Sequence, residues 1–155
     1  MASAEQFLVM GAFAGAFVLY CYTSYKPYMQ VDAAAKKYEF NDHQKSMGRS
    51  CVEDMKKHKL KFKSDAGMGT ICGCAVEFVS SRAELTDETD YALAAESLER
   101  NISSAYWEFN SPDLPDWSAL SPQVNKRSKP KPQSRAEVIS TAVRASFPYC
   151  VRGGV

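Results

Sequence analysis

Cys51, His58, Cys72, Cys74 and Cys150 are the side chains whose types could do chemistry together. Thiolates and an imidazole hold zinc in a reducing compartment, whereas paired thiols form disulfides in an oxidising one. The spacing bears on the choice. Cys72-Gly73-Cys74 is a C-x-C unit. On a continuous helix its two thiols point about 200° apart. One can face an upstream helix bearing Cys51 while the other faces a different element, such as the chain end at Cys150. Opposed faces count against one tetrahedral shell built from Cys51, His58, Cys72 and Cys74. There is no C-x-x-C for a redox dithiol and no C-x-x-C-H for haem attachment. Four cysteines therefore read as two structural disulfides, and three pairings remain open. No metal and no cofactor is expected.

Other chemistries have weaker grounds. Glu53 and Asp54 are neighbours, so on a helix they point about 100° apart and suit a solvated edge better than an acid/base pair. Gly67-Met68-Gly69 is too short for a phosphate loop and lacks its lysine. Ser80, Ser81, Ser103 and Ser104 have no histidine at a suggestive spacing. The expectation is no catalytic residue and no enzyme. A net charge of +1 gives no global field for nucleic acid. KKHKLKFK, Lys56 to Lys63, is basic with Leu60 and Phe62 interleaved; it reads as a solvated helix end, with headgroup contact as the alternative.

These residues need elements to position them. Phe7 to Tyr25 contains no charged residue. At 1.5 Å per residue this run reaches about 28 Å, close to a hydrocarbon core of roughly 30 Å. Ser3 to Gln6 reads as a capping box that starts the helix, and Lys26-Pro27 as its stop. A cleaved signal peptide would begin with Lys or Arg, whereas only Glu5 precedes the run. Tyr20, Tyr22, Tyr25, Lys26 and Tyr28 then fit a membrane interface. Gly11 and Gly15, four apart and widened by Ala12 and Ala16, form a face where another helix can approach closely. The expectation is a retained transmembrane anchor over residues 1–28.

Residues 29–110 read as a small helical domain. Met47, Cys51, Met55 and His58 mark one face of a helix over 42–58. A second helix covers 68–82, with Met68, Ile71, Cys72, Ala75, Phe78 and Val79 as its apolar stripe. A third starts near Leu85, with Thr86 as its N-cap and a stripe at Tyr91, Ala94, Leu98, Ile102, Ala105 and Phe109. Residues 111–133 hold five of the seven prolines and read as an extended arm, with Trp117 and Leu120 available to dock. Ser134 to Glu137 is a second capping box, opening a short helix to about Ser146 within a terminal segment 134–155. The fold class is mainly α: one membrane helix, a disulfide-stapled helical domain and a Pro-rich arm.

The spacing of Cys51, Cys72 and Cys74, followed by Leu85-Thr86 at a helix start, resembles small exported bacterial helical proteins. The resemblance covers residues 47–105 and implies export but no particular activity. The KSDAGMG insert and the charge beside the span depart from that pattern. Lys26, Lys36, Lys37, Lys45 and Arg49 follow the span, which by the positive-inside rule favours the opposite orientation. With export, the C-terminal part lies in the periplasm or another exoplasmic space. The expected function is a single-pass accessory subunit of a larger membrane complex. Its partners are the lipid bilayer and other membrane subunits, reached through the span and the Pro-rich arm, with no nucleic acid. The alternative is a membrane-tethered periplasmic module acting alone.

Overall fold

The structure is a computed structural model that describes residues 4–60, 67–110 and 134–152, with side chains described over 15–60, 67–104 and 134–152. Five helices account for these residues, and no strand occurs among them: α1 Ala4–Lys37, α2 Asp42–Lys57, α3 Met68–Ala83, α4 Glu88–Asn110 and α5 Arg135–Val151. α3 is the hub, packing against α1, α2 and α5, while α4 bridges α2 and α5. Arg49 pairs with Asp32, and Lys56 reaches Ser24, so α2 runs antiparallel to α1. Gly69 lies against Pro27 and Gly73 against Ala34, so α3 runs parallel to it.

Each helix has a local reason to begin where it does. Asn41 caps α2 reciprocally with Gln44, and Ser134 caps α5 with Glu137, each satisfying two otherwise orphaned donors. At α4 the cap is Asp87, whose carboxylate accepts the Asp90 N–H at 2.8 Å. Thr86, the residue expected there, instead donates its backbone N–H to the Asp90 side chain. The α3–α4 turn is set by Glu84, at φ 48°, whose N–H returns to the Ser80 carbonyl. That left-handed residue ends α3 and delays the start of α4 to Glu88.

Two helices run on past their expected ends, each through a proline. α1 continues through Pro27 to Lys37, and α5 continues past Ser146 through Pro148 to Val151. A helical proline removes one hydrogen bond and crowds the preceding turn. Tertiary packing outweighs that cost here. Beyond Pro27, α1 buries Val31 and Ala35; around Pro148, α5 buries Phe147 and Cys150. Fully burying a side chain the size of valine or phenylalanine contributes about 1.5–3 kcal/mol. The helix stop expected at Lys26-Pro27 is therefore not present, and the part of α1 from Tyr28 onward packs in the body.

Close approach of α1 and α3 depends on glycine. A methyl group at Gly69 would overlap the Pro27 carbonyl oxygen, and one at Gly73 would overlap the Ala34 methyl. Gly69 and Gly73 are thus a second pair of glycines four apart, this time between helices of the body. Gly48 gives α2 the same access to α1, since a Cβ there would lie 2.8 Å from Cγ1 of Val31.

Among the described residues, no helix is long and apolar enough to cross a membrane. From Gly15 onward α1 carries tyrosines, Lys26 and then the body's own packing face. The side chains of residues 7–14, which complete the apolar run, lie outside the described set, as do Gly11, Ala12, Ser3 and the arm 111–133 with Trp117 and Leu120.

The glycine contacts predict a contrast. Gly69→Ala and Gly73→Ala should each destabilise the fold by about 1–3 kcal/mol through overpacking. Gly15→Ala has nothing within 4 Å to meet and should be neutral or slightly stabilising. Chemical denaturation of the three variants checks both halves.

Candidate functional site

The residues singled out by chemical type meet at the middle of the body. Cys51 and Cys72 form one disulfide and Cys74 and Cys150 the other, each with Cα atoms 5.8 Å apart. All four cysteines are buried. Cys72 faces α2 and Cys74 faces α5, as opposed faces of a C-x-C unit require. Gly73, between them, faces Ala34 of α1. With the four thiols oxidised, Cys51, Cys72 and Cys74 are not available as a zinc shell with His58. Among the described residues, no cluster of three or more His, Cys, Asp or Glu could hold a metal. These four cysteines tie α3 to α2 on one side and to α5 on the other.

A second tie closes the far end of the body. The Arg135 guanidinium donates to the Asp90 carboxylate, with Nε 2.9 Å from Oδ1, and to the Glu84 carbonyl at 2.8 Å. One side chain thereby joins the α3 end, the α4 start and the α5 start. The Arg135 hydrogen bond holds the buried Asp90 carboxyl below the ordinary carboxylate range. Asp54 is shifted upward, first by burial and then by the nearby charge of Glu99. Glu53 is exposed and faces the Ser50 side of α2, so the two adjacent carboxylates do not converge. Two open surface depressions, of about 390 and 440 Å³, are lined by mixed acidic and basic side chains of α2 and of the α1–α2 corner.

The surface without an internal role is the first half of α1. Phe17, Val18 and Leu19 point in three successive directions around the helix, and each is at least 65% exposed. Tyr20, Tyr22, Tyr25 and Met29 are exposed as well. Gly15 has open space beside it, and Ala16 is exposed. Burial begins only near Ser24. The expected interface residues Tyr20, Tyr22, Tyr25 and Lys26 all lie on this free stem, whereas Tyr28 is half-buried and packs on the core.

The root of the stem is fixed by a residue that the charge pattern alone did not single out. Lys56, at the end of α2, donates to the Ser24 carbonyl at 2.8 Å and lies 4.2 Å over the Tyr28 ring. The carbonyl that Pro27 leaves without its helical donor is that of Thr23; Lys56 bonds the next carbonyl and so adds a tie to the same turn. It also gains a cation–π contact at the last exposed turn. The candidate site is therefore a helical stem, with apolar side chains exposed on successive faces from Phe17 to Leu19, rooted in a disulfide-tied helical body. Such a surface can bury itself in a bilayer or among other helices.

No protein-family model, curated protein or solved structure matches this chain.

The two disulfides close loops of different length. Removing Cys74–Cys150, which spans 76 residues, should cost about 1 kcal/mol more than removing Cys51–Cys72, which spans 21, because it releases the longer loop. Urea denaturation of the paired Cys→Ala variants checks the order. For Asp90 the folded carboxyl titrates lower than the unfolded one, near about 3.9. Its contribution is therefore full above that value and lost as pH falls through the folded value. Asp90→Asn should lower Tm at neutral pH and remove this part of the acid loss, as Tm measured from pH 6 downward would record.

Proposed function

We propose that the chain is a non-catalytic accessory subunit of a larger membrane protein complex. In this reading the stem of α1 enters the bilayer and packs among other subunits' helices, while the disulfide-clamped body stands on the exoplasmic side. The observation that carries it is the exposure of Phe17, Val18 and Leu19 on successive faces of one helix. A helix that is apolar all round belongs in lipid or in the interior of a larger assembly. The uncharged run from Phe7 to Tyr25 supplies a length close to a hydrocarbon core. Tyr20, Tyr22 and Tyr25 supply interfacial anchors, and Gly11 and Gly15 a close-approach face. Two buried disulfides favour an oxidising compartment for the body. The Pro-rich segment 111–133 offers a second contact with neighbours.

A self-contained core, closed by two disulfides, also favours a second reading: a tethered module acting alone. Mild-detergent extraction followed by native sizing and mass spectrometry separates the two. The accessory-subunit reading expects a large assembly. A double Gly11→Leu, Gly15→Leu variant should leave that assembly, with the body's Tm unchanged because the buried face of α1 begins only near Ser24 and, among the described residues, nothing lies within 4 Å of a Cβ at Gly15. A chain that runs alone overturns the subunit reading in favour of the tethered module. Retention of the variant in the assembly counts against the glycine face as the contact.

A further inference from the structure

The stem leaves the body at one end, where the described charged side chains nearest its root are bases. Lys56 is placed there by its bonds to Ser24 and Tyr28. Lys57 and Lys59 follow it at the end of α2 and are exposed, and Lys26 is exposed on the stem itself. Lys59 adopts φ 53°, turning the chain out of the helix at this level. Arg152, which caps α5, belongs to the same end. α5 runs antiparallel to α3, with Arg135 at the Glu84 carbonyl and Cys150 tied to Cys74 in the second turn of α3. The sequence from Lys56 to Lys63 holds five lysines and no carboxylate. Among the described residues of α2, the acids before this run are Glu53 and Asp54, about a turn lower, and Asp54 lies near Glu99 of α4; Asp65, which follows Lys63 in the sequence, is outside the described residues. The opposite end of the body is different in kind: it carries Asp42, Glu84, Asp87, Glu88 and Asp90 among its bases.

We infer that the body docks on anionic lipid headgroups through this basic collar of Lys26, Lys57, Lys59 and Arg152 around the root of the apolar stem, an inference that rests on the membrane reading of the stem proposed above. The physical case is charge complementarity at a fixed height. An apolar helix ending in tyrosines sets the depth of the chain in the bilayer, and the collar then lies at the headgroup phosphates of the leaflet on the body's side, which the docking requires to contain anionic lipid. Lys56 is held by Ser24 and Tyr28, so its role is to pin α2 against the stem and carry its neighbours to that height. Lys57 and Lys59 are unconstrained by any salt bridge among the described residues and keep their long stems free to reach the surface. The docking fixes how the rigid body stands on the membrane, which is what a subunit needs to present its other faces to partners.

The test uses the full chain reconstituted into vesicles of neutral phosphatidylcholine, or of phosphatidylcholine with phosphatidylglycerol as the minor, anionic component. Flotation after alkaline wash reports insertion of the stem. Amine-reactive footprinting, read by mass spectrometry, reports the collar. Lys36 and Lys37, at the other end of α1, serve as internal controls. The expected result is flotation with both vesicles. Lys57 and Lys59 should be labelled several-fold more slowly in the anionic vesicles, with protection lost at high salt and none at Lys36 or Lys37. Lys57→Gln, Lys59→Gln should float equally well and lose the corresponding protection at Lys26. Equal labelling of Lys57 and Lys59 in both vesicles, with the stem inserted, overturns the collar and leaves the anchor standing. Failure to float with either vesicle overturns the anchor itself, and the collar with it.

Discussion

Successive residues on a helix point about 100° apart, so Cys72, Gly73 and Cys74 face three directions. Each direction is occupied by a different helix. Cys72 is bonded to Cys51 of α2, Cys74 to Cys150 of α5, and Gly73 admits Ala34 of α1. Three adjacent residues thus set three neighbours around α3. A body built from short helices buries a modest core, and small domains of this kind commonly depend on covalent ties. The disulfides hold α3 from two sides, and the glycine lets the third side close. The Arg135–Asp90–Glu84 tie completes the arrangement at the far end, where no cysteine lies.

The same clamp determines how the stem stands. α1 is continuous from Ala4 to Lys37, so the half that packs in the body fixes the direction of the half that does not. A helix of 34 residues is about 51 Å long, and roughly half of that projects. The weak point is Pro27, where the ladder lacks a donor. It is also the point at which Gly69 approaches from α3 and Lys56 bonds Ser24 from α2. The body braces the helix where proline would otherwise let it bend.

Much of this was legible locally. The helical spans over 42–58 and 68–82 follow from hydrophobic spacing, and Met47, Cys51 and Met55 are buried as that spacing requires. The opposed faces of C-x-C follow from helix geometry alone. What was not legible depended on distant partners. Pro27 read as a stop, and α5 as ending near Ser146, because the packing that carries α1 and α5 onward is tertiary. Thr86 and Asp87 are both good N-caps, and only the left-handed Glu84 selects the second. Arg135 and Asp90 are 45 residues apart, so no local pattern links them. Gly69 and Gly73 did carry a readable signal. It was the same small-residue spacing seen at Gly11 and Gly15, placed in a helix where close packing serves the body rather than a membrane neighbour. The described part of the site, from Gly15 to Tyr28, was largely visible as a run of apolar and tyrosine residues. Tyr28 differs because Lys56 draws it into the core.

The arrangement of helices around α3, and with it the direction of the stem, requires that the clamp exist in the protein as the cell makes it. Disulfide mapping of the native chain tests this directly, with thiols blocked before lysis and fragmentation between residues 72 and 74 to assign each partner. The expected result is Cys51–Cys72 and Cys74–Cys150, with Cys21 alone carrying the blocking group. Blocked Cys72 and Cys74, or the exchanged pairing Cys51–Cys74 with Cys72–Cys150, would contradict it.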